Sequence, residues 1–147
     1  MVGNSYRLRV IVLLACLVAG LSAYESVAAA APPGPSIVPM LQERLGLTEA
    51  QVRGALGALL VFVHERLPKP DFDDLAESIP NAERIMQETK LRGIVTRPLD
   101  DLDEYEGALA SLGIGQPLAS KVAPAVLQAL AETGHSRERD ILAHAID

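Results

Sequence analysis

The sequence predicts an all-α fold, a compact bundle of about six or seven helices, behind a cleavable export signal. Two observations carry the fold class. From Met40 onward apolar residues recur at helical spacing between glycine, proline and capping signals, and much of that pattern returns at a constant offset of 67 residues. A third observation sets the destination. Arg7 and Arg9 form a basic n-region, residues 10–21 (VIVLLACLVAGL) are an apolar run of 12, and residues 26–31 (SVAAAA) supply small side chains for a signal peptidase. A spanning helix needs about 20 apolar residues, so residues 1–30 read as a signal peptide, and no transmembrane segment is expected in the mature chain.

Cys16, the only cysteine, stands in the box Leu13-Leu14-Ala15-Cys16, which is similar to a lipoprotein cleavage site. Residues 17–21 stay apolar where a lipid-tethered chain turns polar, so anchoring through Cys16 is the alternative to cleavage near Ala28 or Ala30. Cleavage at the later site leaves no cysteine and removes disulfide and thiolate chemistry together. Removal of Arg7, Arg9 and Glu25 also moves the formal charge from −6 to −7. An acidic chain whose remaining aromatics are Phe62, Phe72 and Tyr105 lacks the basic stripe and stacking platforms of nucleic-acid binders. The destination is therefore the periplasm or beyond, with no nucleic acid as partner.

Residues 31–39 (APPGPSIVP) read as an extended Pro-rich linker, and residues 40–147 as one helical domain. MLQERL makes a short amphipathic helix that Gly46 stops. Thr48 and Gln51 then form a capping box, each side chain satisfying the other's free backbone N–H. The helix so begun runs to about Arg66, before Pro68 and Pro70. Its middle, ALGALLVFV, is apolar nearly all round, as a central buried helix should be. Asp71 is expected to cap a helix over residues 72–79 that Pro80 closes, and residues 82–90 form another. Residues 91–98 mix glycine, threonine and proline and read as a loop. Helices over 102–112, 117–133 and 137–146 complete the chain, with Pro117 suited to a first turn and Ser136 to a cap after Gly134.

Nine of the 35 positions from 45 to 79 are identical, without a gap, to those 67 residues on: Leu45, Gly46, Ala58, Leu60, Glu65, Asp73, Leu75, Ala76 and Ile79. The domain therefore reads as two copies of one unit, residues 40–80 and 107–147, related by a pseudo-twofold. Gly57 falls on Pro124, which places a flexible residue in one central helix and a kinking one in the other. Ala50, Gly54 and Ala58, four apart, give a small-residue stripe. With Gly57 and Pro124 it is the candidate face for close helix contact, either inside the domain or with a second copy or a protein partner.

Leu45-Gly46-Leu47-Thr48-Glu49, Gly54-Ala55-Leu56-Gly57-Ala58-Leu59-Leu60, Asp71-Phe72-Asp73-Asp74-Leu75 with Ile79-Pro80, Leu112-Gly113-Ile114 and Val122-Ala123-Pro124-Ala125-Val126-Leu127 carry a resemblance. Over residues 40–146 the chain resembles the bacterial VcgC/VcgE-like family, a domain of unknown function found in small exported proteins. The resemblance implies an all-helical fold and a cell-envelope location, and it brings no catalytic residues. The chain departs from the family pattern at residues 91–103, which are charged rather than Gly-rich.

Chemistry is sparse. Asp140 and His144, four apart on one helix face, would with His135 offer a carboxylate and two imidazoles to zinc, but no fourth ligand and no HExxH spacing accompany them. His135, Ser136 and Asp140 include the residue types of a nucleophile triad without a strained nucleophile turn or an oxyanion site. Asp100, Asp101, Asp103, Glu104 and Glu106 lack the alternating ligands of a calcium loop and suit the first turn of a helix. No cofactor is expected. The leading expectation is a non-catalytic interaction or structural module of the cell envelope, self-associating or binding another protein. The alternative is a carrier of a small apolar or lipid ligand held between the two central helices, and a hydrolytic or metal-dependent enzyme ranks third.

Overall fold

A computed structural model describes residues 36–147 as seven helices and their connections, with no strand among the described residues. In chain order these are α1 (Ile37–Leu45), α2 (Glu49–His64), α3 (Lys69–Ser78), α4 (Ala82–Leu91), α5 (Leu102–Ser111), α6 (Gln116–Glu132) and α7 (Ser136–Ile146). They belong to one unit, Gly34–Asp147. The signal peptide, Cys16 and residues 31–35 of the linker lie outside the described residues. No single described helix is long and apolar enough to cross a membrane.

Several element ends differ from expectation, and proline accounts for two of them. α1 starts at Ile37, so residues 37–39 of the expected linker are helical. Pro39 is its third residue, where a missing N–H costs nothing because the first turn leaves its donors unpaired. α3 likewise starts at Lys69 with Pro70 in its first turn, so Asp71 lies inside the helix instead of capping it. At α7 the N-cap is His135, and Ser136 is the first helical residue with no capping bond. The capping box at α2 forms as read: Gln51 N donates to Thr48 Oγ1 at 3.3 Å, and Thr48 N to Gln51 Oε1 at 3.1 Å.

α2 lies at the centre, with α1, α3, α4, α5, α6 and α7 all touching it. Val52 and every residue from Gly54 to Val63 are buried, which explains why this helix carries no polar stripe. α6, the other long helix, buries only the stripe Ala119, Val122, Ala125, Val126, Ala129 and Leu130. α1 packs on α6, α5 on α2, and α3 on α7, so the two halves of the described helices interlock. Helix bounds keep step with the 67-residue offset: α2 and α6 start at 49 and 116, α3 and α7 at 69 and 136. Gly46 and Gly113, at φ 65° and 77°, turn the corner before each long helix in the left-handed region that favours glycine. Gln51 Nε2 crosses between the two corners to donate to Leu112 O at 3.0 Å.

Gly54 and Gly57 are needed for contact within the domain. A Cβ on Gly57 would stand 1.9 Å from Thr89 Oγ1 and 2.9 Å from Ile85 O on α4, and one on Gly54 would stand 2.8 Å from Leu112 Cδ1. Ala58 is fully buried as well. Only Ala50 and Pro124 of the small-residue face reach the surface. Of the two uses expected of this face, contact inside the domain is the one its glycines serve, since α4 and Leu112 already lie against them.

Tyr105 on α5 is buried beside Phe62, ring centroids 5.5 Å apart, and its hydroxyl has no hydrogen-bond partner among the described residues. Burial, with a smaller contribution from Glu106, holds the phenol well above its usual range. The unfolded chain's phenol ionises above about pH 10 while the buried one stays neutral, so stability falls as pH rises past that point. Tyr105→Phe removes the unsatisfied group. We expect it to leave stability unchanged or raise it by about 1 kcal/mol in denaturant titration, and to flatten the alkaline loss.

Candidate functional site

The C-terminal histidines do not assemble into a centre. His135 Nδ1 is 3.0 Å from Thr133 Oγ1, whose own hydrogen faces Ala129 O and Leu130 O, so the threonine oxygen is free to accept from the ring. Asp140 accepts from its neighbour Arg139 at the surface, and His144 is exposed. Among the described residues no group of three or more His, Cys, Asp and Glu side chains could hold a metal ion. The sequence pairing of His135, Asp140 and His144 is thus corrected: each is engaged or solvated separately. The acidic run behaves as a helix start. Glu104 N donates to Asp101 Oδ1 at 2.8 Å, Asp100 N donates to Glu104 Oε2 at 2.8 Å, and Arg97 pairs with Glu104 at 2.9 Å.

What the fold does form is a surface cleft of about 560 Å³ where the end of α2 meets α3 and α4. That volume falls within the range of ligand-sized clefts. Leu67, Phe72 and Met86 supply its apolar part; Lys69, Asp73, Glu83, Gln87 and Lys90 line the remainder. α3 places Lys69 and Asp73 one turn apart, where they pair at 2.7 Å. α4 places Glu83, Met86 or Gln87, and Lys90 along one face by the helical period. His64, the last residue of α2, stands edge-on to Phe72 with centroids 4.7 Å apart, and is half exposed. Just past the end of α2, Arg66 lies over the Phe62 ring at 3.9 Å and donates to Asp100 O at 2.9 Å, tying the α2 end to the 92–101 connection.

The cleft offers apolar contact edged by charges of both signs. It gathers no nucleophile, base and oxyanion donor at reacting distance. A second cleft of about 580 Å³ continues along α3 and α4 through Lys69, Asp73 and Glu83 to Ile79 and Pro80.

A family described as protein of unknown function VcgC/VcgE (DUF2780) matches residues 19–145. The chain belongs to this family. No curated protein and no solved structure matches it. The VcgC/VcgE match begins within the apolar N-terminal run and ends one residue before α7 does, so it takes in all the helices but that last residue. The corners that carry the resemblance in sequence, around Gly46 and Gly113, are the left-handed turns that orient the two long helices.

None of the cleft residues was singled out from the sequence as a site. Phe72 and Met86 sit on amphipathic stripes, which read as core, and both are buried. Lys69, Asp73, Glu83 and Lys90 read as solvated charges. Only the meeting of α3 with α4 puts these groups around one space.

Proposed function

We propose that this VcgC/VcgE protein is an exported, non-catalytic interaction module of the cell envelope whose contact surface is the cleft between α3 and α4. The observation that carries this reading is the cleft itself: apolar Leu67, Phe72 and Met86 edged by opposite charges, a lining suited to recognition. Export rests on the N-terminal pattern of basic, apolar and small residues. The scaffold is a duplicated three-helix unit, a reading supported by the shared starts of the long helices and by the paired glycine corners.

The carrier reading has less behind it. Leu56, Leu60, Val126 and Leu130, on the two long helices, are each essentially sealed from solvent, and neither the main cleft nor its continuation is lined by α6. Native mass spectrometry of the mature protein recovered from the envelope separates the two. We expect a mass that begins after about Ala28 to Ala31, in complex with a second protein or copy, and loss of that complex when Glu83→Lys reverses a charge at the exposed edge of the cleft. A lipid-sized adduct on a monomer would put the carrier in front, and a lipid-modified Cys16 would make the protein a tethered one.

A further inference from the structure

Leu91, at the last turn of α4, is 88% exposed, the most exposed large apolar side chain among the described residues; Leu102, at 52%, is the other. Its chain neighbours Lys90 and Arg92 are also exposed, and Gly93 follows at φ 69°, ending the helix. Neither Lys90 nor Arg92 joins an ion pair among the described residues. The one carboxylate on this half of α4, Glu88, is held by Arg53 at 2.6 Å and approached by Arg84 at 3.8 Å. The last turn of α4 thus presents two cations that join no ion pair among the described residues, Lys90 on the side of the cleft that also holds Asp73 and Glu83, with a leucine standing out between them. The nearest carboxylates along the connection, Asp100, Asp101 and Glu104, lie at its far end, where Asp101 caps α5 and Glu104 pairs with Arg97.

A lone leucine between long cations is a poor centre for a protein interface, which needs a sizeable patch with an apolar or aromatic core. A bilayer needs no such patch, because it supplies the apolar medium itself. An inserted side chain gains from burial, and lysine or arginine beside it gains from anionic headgroups while their stems lie along the interface.

We propose that the tip Lys90-Leu91-Arg92 is a peripheral membrane contact that takes an anionic lipid surface, Leu91 entering the interface and the two cations facing lipid phosphates. It is a surface contact and not a span. The proposal goes beyond the α3–α4 cleft reading; it shares Lys90 with that cleft and rests on Leu91 and Arg92, which lie outside it.

The test is co-sedimentation of the purified mature chain with phosphatidylcholine vesicles made with or without phosphatidylglycerol. Binding is expected only with phosphatidylglycerol, and weaker as salt is raised. Leu91→Asp is expected to lower the partition coefficient at least about tenfold, and Lys90→Gln or Arg92→Gln about fivefold each. Circular dichroism should report unchanged helix content, since Leu91 is almost wholly solvated; Leu91→Ser carries the same expectation should the aspartate disturb the helix end. Failure of the native chain to sediment with phosphatidylglycerol vesicles overturns the proposal. So does equal binding by the Leu91 variants, and so does a Leu91→Asp variant that loses a protein complex while native protein ignores vesicles.

Discussion

Gly57→Ala is expected to destabilise the domain by about 3 kcal/mol and lower its melting temperature by on the order of 10 °C. On an exposed helix the same change stabilises by up to about 1 kcal/mol, because alanine is the better helix former. Here the sign reverses because α4 lies against the bare Cα. The new methyl would meet Thr89 Oγ1 at 1.9 Å, and the Ile85 carbonyl and Thr89 Cβ at 2.9 Å. Thr89 cannot swing clear without giving up its 2.8 Å bond to Ile85 O in a buried site. Thr89→Ala should therefore rescue Gly57→Ala only in part, since the Ile85 carbonyl stays where it is. Differential scanning calorimetry of the two single variants and the double one reads this directly. A neutral Gly57→Ala would mean that α4 stands further from α2 than described.

Pro124→Ala, at the position 67 residues on, should do the opposite and stabilise by about 2 kcal/mol. Pro124 is exposed inside α6, where it has no N–H to give and its ring crowds the preceding turn. Alanine restores the bond at little packing cost, although the freer unfolded chain takes back up to about 1 kcal/mol. Urea titration with an unchanged m-value is the expected form of the gain. A loss instead would show that α1 needs the proline itself to seat against α6. The two substitutions together distinguish what the two long helices do: one is enclosed, the other has a wet side.

Much of this fold was legible because its signals are local. Thr48 with Gln51 announces α2, and the apolar run from Gly54 to Val63 announces a helix covered on every side. Gly46 and Gly113 announce corners that the backbone then makes at positive φ. The misread ends share a cause. Pro70 can begin a helix as readily as bar one, and Ser136 is drawn into the helix as its first residue, behind His135 at the N-cap position. Proximity between elements was the illegible part. A stripe of glycines says that something approaches closely but not which helix, so a face that α4 and Leu112 fill was also readable as a face for another molecule. Leu91 was half legible. α4 buries Ala82, Ile85, Met86 and Thr89, and residue 91 falls off that stripe. The sequence pattern ends the helix at Lys90 and puts the leucine in a loop, a place from which its exposure does not follow.

The way the two halves of the helical domain clasp each other bears on how the molecule would come apart. α1 rests on α6 and α5 on α2, and Arg44 of α1 pairs with Glu132 at the end of α6, 88 residues away. Contacts so distant along the chain tend to form late and slow the search for the native state. Once made, they bind the halves as a buckle does. A protease cutting the 92–101 connection would release neither piece, because each still holds a helix of the other.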